Sequence, residues 1–333
     1  MRAIFKPRST AFSLRPGSAG ILPAGLAHAK SCGRDARAPR FTLALLLVAC
    51  ITSSCSSRRA APAETQAVTD EIGHAVSAPA NPQRIVSLAP SITETLFALG
   101  LGDRVVGVTS YCDYPPEATA KEKVGDTLRP SVEKIVALRT DLVIASTASQ
   151  LEQFIHKLDE LGIAVYVSNP RKVKDVAETI ARIGALTGAT ERARELSDKL
   201  QKRLAAIDAG VRAAPRPRVL IILSTEPLIT AGGNTFVNDL IERAGGRSIS
   251  ANETAEYPQY SLETAVATRP EVIFLQAQDA RLPERLKETP AARAGRVYHI
   301  DDNLMLRPGP RILDGLEQMA AEIHPEIFKS GNR

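Results

Sequence analysis

The 333-residue chain has no tryptophan, and aromatic residues make up only 4% of it, so any aromatic recognition surface must be drawn from six tyrosines and eight phenylalanines. Cysteine is as scarce. Cys32 and Cys50 lie in a basic N-terminal segment and Cys55 just after it. Cys112 alone belongs to the region with folded patterning, which excludes an internal disulfide framework. Stability must come from apolar burial, for which 44% hydrophobic composition is ample. The apolar run at residues 41–49 is too short to cross a bilayer as a helix. His28, His74, His156, His299 and His324 are scattered, and none has metal-ligand spacing with Cys112 or another histidine, so no metal site is expected. Neither Gly-x-Ser-x-Gly nor His-Glu-x-x-His occurs. Ser131-Val-Glu-Lys134 fits Ser-x-x-Lys but lacks the companion Ser-Asp-Asn and Lys-Thr-Gly motifs. Gly100-Leu-Gly102 leaves a helix and enters a strand, the reverse of a dinucleotide loop. The chain is therefore read as a non-enzyme, with an exported α/β serine hydrolase using Ser131 or Ser91 as the alternative of another class.

What is present begins with charge. A net +5 would point to nucleic acid or an anionic membrane were it spread over the chain. Instead Arg2, Lys6, Arg8, Arg15, Lys30, Arg34, Arg37 and Arg40 face only Asp35 within residues 1–49, a local +7, and the rest sums to −2. No nucleic-acid partner is expected. The basic stretch feeds the apolar residues 41–49 as a secretory signal would, and closes on Leu47-Val48-Ala49-Cys50, which resembles a bacterial lipobox. Cys50 is the expected lipidation site, with Cys55 a weaker alternative. Residues 1–40 are long and irregular for a signal and read as a start placed too far upstream. Residues 50–82, rich in Ser, Ala and Pro, read as a flexible lipidated tether, with the fold beginning near Arg84.

From there β-branched runs alternate with helical patterns, the signature of parallel sheet with crossover helices. Strands are expected near 85–88, 104–108, 141–145 and 163–167. A capping box at Ser91-Ile-Thr-Glu94 starts a helix to Gly100, and further helices lie near 131–138 and 149–161. Residues 190–211 carry Ala193, Leu196, Leu200, Leu204 and Ile207 at spacings of three and four. At about 1.5 Å per residue that is a rod of roughly 33 Å, long enough to join two lobes. A second strand-helix series starts at Arg218. Ser131-Val-Glu133-Lys-Ile-Val-Ala-Leu-Arg-Thr-Asp141 aligns without gaps with Ser261-Leu-Glu263-Thr-Ala-Val-Ala-Thr-Arg-Pro-Glu271, and Arg84-Ile-Val with Arg218-Val-Leu, so two related lobes are expected. Each copy follows a Tyr-x-x-Tyr loop, Tyr111/Tyr114 and Tyr257/Tyr260, placed where open α/β sheets bind ligands.

Together Arg84-Ile-Val-Ser-Leu-Ala-Pro-Ser-Ile-Thr-Glu94, Ser110-Tyr-Cys-Asp-Tyr-Pro-Pro116, Val132-Glu-Lys-Ile-Val-Ala-Leu138 and Tyr257-Pro-Gln-Tyr-Ser-Leu-Glu263 resemble the periplasmic substrate-binding proteins of ABC importers, of the vitamin B12 and iron-chelate class. The resemblance covers residues 83–328. It implies a class III fold, two Rossmann-like α/β lobes joined by one long backbone helix: first lobe 84–170, linker helices 171–213, second lobe 216–328. It implies capture of cobalamin or a related corrinoid outside the cytoplasmic membrane and delivery to a permease dimer driven by an ATPase. A haem or iron-siderophore protein of the same fold is the alternative. Cobalamin would be a transported ligand, not a cofactor, and the protein a periplasmic, lipid-anchored monomer.

Carried over by position, Glu133 and Glu263 match acids that dock on permease arginines. Tyr111 and Tyr257 match ring-stacking positions, and Tyr114 shares the first loop. Thr127 and Ser146 stand where tryptophan occurs in B12-binding members. Asn303 or Asp302, with Arg307, matches the ligand-contacting acid and arginine. Cys112 is expected to be a small loop filler.

Overall fold

The β-branched runs fold as buried parallel strands in a computed structural model that describes residues 64–147, 151–276 and 280–328. The expected signal segment, with Cys50 and Cys55, lies outside the described residues. In chain order a hairpin, β1 (Thr65–Thr69) and β2 (Ala75–Pro79), comes first. The first lobe contains β3 (Ile85–Ser87), α1 (Pro90–Ala98), β4 (Val105–Val108), β5 (Glu122–Lys123), α2 (Val132–Ala137), β6 (Leu142–Ser146), α3 (Leu151–Glu160) and β7 (Ala164–Ser168). Helices α4 (Asp175–Thr187) and α5 (Thr190–Val211) lead to the second lobe. That lobe begins with β8 (Arg218–Ile222), the short antiparallel pair β9 (Ser224–Thr225) and β10 (Leu228–Ile229), α6 (Phe236–Arg243) and β11 (Arg247–Ser248). It continues through α7 (Leu262–Ala267), β12 (Val272–Leu275), α8 (Pro290–Arg293), β13 (Val297–His299), α9 (Asp302–Met305), α10 (Ile312–Ile323) and α11 (Pro325–Phe328).

Both main sheets are parallel, ordered β5-β4-β3-β6-β7 and β11-β8-β12-β13. Chain order reverses between β3 and β6 in one and between β8 and β12 in the other, the doubly wound arrangement. Strand residues alternate between two cores because successive side chains point to opposite faces. Ile85, Leu142, Ile144 and Tyr166 share one cluster with Val219, Ile221, Val272 and Phe274, so a single core runs through both lobes by way of α4, α5 and α10. Val86, Val143 and Val165 face a separate core in the first lobe, and Leu220, Ile273 and Leu275 face one in the second. On the joining helix α5, Ala193, Leu200, Ile207 and Val211 are buried, while Leu196 and Leu204 pack at its margin. Gly184 lets α4 and α5 touch: a Cβ there would stand 2.1 Å from that of Ala193. Gly188, at φ 74°, ends α4 in the left-handed conformation.

Two expectations need correction. The stretch read as a tether contains the hairpin, which buries Val76 and Ala78 and is bonded to the first lobe where Glu71 N donates to Val167 O at 3.0 Å. Its strands are short and rich in Ala, Ser and Thr, so their one-sided burial left little hydrophobic signal. The capping box at Ser91 is absent as well. Helix α1 starts from Ala89 with Pro90 in its first turn and no side-chain cap, and Glu94 turns inward instead. The repeat, by contrast, holds in detail. Ser131 and Ser261 both cap their helices, accepting from the amides of Lys134 and Thr264. Arg139 and Arg269 close them at φ 49° and 51°.

Candidate functional site

Loops beyond the carboxyl ends of both sheets meet between the lobes, and their geometry starts from Cys112. Its thiol is 1% exposed and lies 3.1 Å from the hydroxyls of both Thr93 and Thr109, while its carbonyl accepts from Lys123 Nζ at 3.3 Å. Pinned at this point, the loop presents its flanking rings outward: Tyr111 is 60% and Tyr114 43% exposed. Tyr257 of the second lobe is 52% exposed, and desolvation, reinforced by the neighbouring Glu256 carboxylate, pushes its phenol up, so the ring stays neutral. The parallel between the loops then ends. Tyr260 is buried and hydrogen-bonds Ile249 O at 3.4 Å, making it a core residue rather than a second cleft ring.

Ion pairs cross between the lobes at these rings. Glu94, 4% exposed on α1, accepts a bidentate pair from Arg311, Nε at 2.9 Å and Nη2 at 2.6 Å, and a longer contact from Arg307 at 3.5 Å. Arg307 also grips Asp113 with both terminal nitrogens, one of them at 3.1 Å, and that contact holds the Asp113 carboxyl below its usual range. Arg311 in turn lies over Tyr114, its guanidinium carbon 3.8 Å from the ring centre. Beside Tyr257, Arg171, at the start of the linker after β7, reaches Glu256 of the second lobe at 3.3 Å. A cavity of about 770 Å³ opens next to Tyr114 and Arg311, with Phe97, Lys121 and Pro310 in its walls. A larger one of about 910 Å³ lies between the hairpin and α3, remote from the tyrosines.

The other expected residues stand at the same ends of the sheets but join the network less directly. Thr127 sits half-buried in the turn before α2, and Ser146 ends β6. No hydrogen bond among the described residues links either to the tyrosines. Asn303 lies in the first turn of α9, its backbone N–H donating to Asp301 at 2.9 Å. Asp302 accepts from Gln276 at 3.1 Å, and its second oxygen is buried without a partner. Glu133 and Glu263 are exposed on the first turns of α2 and α7, each accepting from its own capping serine, at 3.1 and 2.9 Å. Sequence reasoning missed Glu94, Arg311, Asp113, Arg171 and Glu256. For Glu94 a signal existed: the acid stands between apolar Ile92 and Leu96, inside the buried face of a helix.

Comparison with known proteins gives a consistent set. A profile of the periplasmic binding protein family matches residues 85–304. The chain is similar to a Bacillus subtilis protein, an uncharacterized ABC transporter substrate-binding lipoprotein, YvrC, at 33% identity over 86% of this chain and 97% of that one. Among solved structures it is similar to the periplasmic vitamin B12 binding protein BtuF of Vibrio cholerae, with TM-score 0.68 and 30% identity over 73% of this chain and 97% of the other. The periplasmic heme-binding protein RhuT of Roseiflexus sp. RS-1 gives TM-score 0.66 and 30% identity over 73% and 98%.

Proposed function

The chain belongs to the periplasmic binding protein family of ABC importers, and from that premise we propose that it captures cobalamin or a related corrinoid and hands it to a membrane permease driven by an ATPase. It is a substrate-binding protein and not an enzyme, and what it holds is a transported ligand rather than a catalytic cofactor. One observation carries the corrinoid reading. The three arginines beside the exposed tyrosine rings each have a carboxylate partner, Arg171 with Glu256, Arg307 with Asp113 and Arg311 with Glu94. Charge so neutralised around the rings suits a large flat ligand edged with uncharged amides. A ferric chelate or the propionates of haem would call for unpaired cations. Tyr111, Tyr114 and Tyr257 would lie against the macrocycle, with Thr127, Ser146, Asn303 and Arg307 at its edge. Cys50 would hold the protein to the membrane by lipid, as a monomer, and Glu133 and Glu263 would face the permease.

The haem reading is favoured by the haem-binding structural relative, and one experiment separates the two. Purified protein is titrated calorimetrically with cyanocobalamin, hemin and a ferric siderophore, with tyrosine emission followed in parallel, since no tryptophan masks it. Saturable heat and quenching with cyanocobalamin, reduced by Tyr111→Ala and Tyr257→Ala, is the expected result. Saturation by hemin or the siderophore with none by cyanocobalamin would overturn the corrinoid assignment.

A further inference from the structure

The two glutamates assigned above to permease docking stand in unlike surroundings. In the first lobe Glu133 accepts from its own backbone amide and from Ser131, feels Lys157 only at longer range, and makes no ion pair among the described residues. Apolar side chains are exposed before and after it in the chain: Leu128, 64% exposed in the turn leading into α2, and Val136, 42% exposed one turn further along the same helix face. In the second lobe the position matching Val136 is Val266, half-buried against its own core. There Glu263 is already held by Arg285, from the turn Glu284–Glu288 packed beside α7.

We propose that Arg285 masks Glu263, so that the protein docks unequally: the first lobe supplies an open carboxylate on an apolar patch, and the second a carboxylate that must first leave its own arginine. The partner chemistry follows by charge and shape. Glu133 with Leu128 and Val136 fits a permease guanidinium seated among apolar side chains, because the carboxylate pairs with the cation while the flanking aliphatics exclude water from the pair. At Glu263 an incoming arginine gains only the difference between itself and Arg285. Exposed pairs of this kind shift an equilibrium by about one- to fivefold. The inference rests on the docking reading, and its test keeps the two apart.

The permease–ATPase complex of the source organism is isolated by cross-linking to the wild-type protein, placed in nanodiscs and used to measure binding of the wild type and variants. Arg285→Ala is expected to bind about two- to fivefold tighter than the wild type. Glu133→Ala should weaken binding roughly tenfold or more, beyond the loss caused by Glu263→Ala. Leu128→Ser with Val136→Ser should also weaken it. Unchanged ligand affinity in each variant shows that the fold is intact. Binding of Arg285→Ala no tighter than that of wild type, or equal losses from the two glutamate variants, would overturn unequal docking alone. Recovery of no permease by the wild type would overturn the docking reading itself.

Discussion

The two lobes use the same joint and differ in what they attach to it. In the first, Arg84 N donates to Asp141 at 2.9 Å, Asp141 N returns the bond to Arg84 O at 2.9 Å, and Arg84 Nε closes the end of α2 through Leu138 O at 2.6 Å. In the second, Arg218 N donates to Glu271 at 2.9 Å, Glu271 N returns to Arg218 O at 2.8 Å, and Arg218 Nε caps α7 through Arg269 O at 2.9 Å. The repeated part is the device that ties a helix end to the start of a strand. The cross-lobe ion pairs, the exposed rings and the hairpin differ between the lobes. The repeat therefore accounts for the scaffold, and the differences lie in the loops between the lobes and in the hairpin.

The largest expected effect falls on the asymmetric contacts between lobes. Glu94 is buried and holds two arginines, whereas Glu256 and Arg171 are both more than half exposed. Glu94→Ala leaves Arg311 and Arg307 partly buried without that carboxylate and is expected to destabilise the protein by about 3 kcal/mol. Glu256→Ala should cost about 1 kcal/mol or less, since its pair is solvated. Thermal unfolding by circular dichroism decides. Equal, small losses would show that the Glu94 cluster does not tie the lobes together.

Much of this architecture was legible in the sequence. The spacing of Ala193, Leu200 and Ile207 gave helix α5 its bounds, because a 3.6-residue period over six turns is hard to mimic by chance. The Ser131 and Ser261 copies disclosed two lobes because a capping serine and the acid after it leave a fixed local pattern. Tyr111, Tyr114 and Tyr257 emerge exposed. What escaped was non-local. Glu94 reads locally as the far end of a capping box, and only the approach of Arg311, 217 positions away, shows it to be the centre of an ion cluster. The hairpin escaped because five-residue strands of small residues carry almost no period-two contrast.

The joint offers a finer test of equivalence. Asp141 accepts two backbone amides, from Gln83 at 2.8 Å and from Arg84, whereas Glu271 accepts one, from Arg218, and adds a solvated ion pair with Arg218 Nη1 at 3.4 Å that contributes little. Removing each carboxylate should therefore cost unequally, about 2 kcal/mol for Asp141→Ala against about 1 kcal/mol for Glu271→Ala. Denaturant unfolding measures both. A larger loss at Glu271 would mean that the second lobe depends on the joint in some way the hydrogen bonds do not describe.

The hairpin is the addition of the first lobe alone, and its smallest test turns on pH. One oxygen of Glu71 accepts from Asn169 N at 2.6 Å; the other is buried without a partner, as is the hydroxyl of Tyr166. Burial raises the Glu71 pKa above its ordinary 4.5, against the opposing bond from Asn169 N. The folded protein therefore holds this proton more tightly than the unfolded chain, so the contribution of Glu71 is greatest below its unfolded pKa and is lost as pH rises through the folded value. Glu71→Gln keeps an oxygen for Asn169 N and removes the buried charge. The melting temperature should rise relative to wild type at about pH 7, with the gain shrinking towards zero by about pH 4, where Glu71 itself is protonated. A gain that persists unchanged at acid pH would show that the amide improves packing under the hairpin, and that the carboxylate charge never opposed its docking.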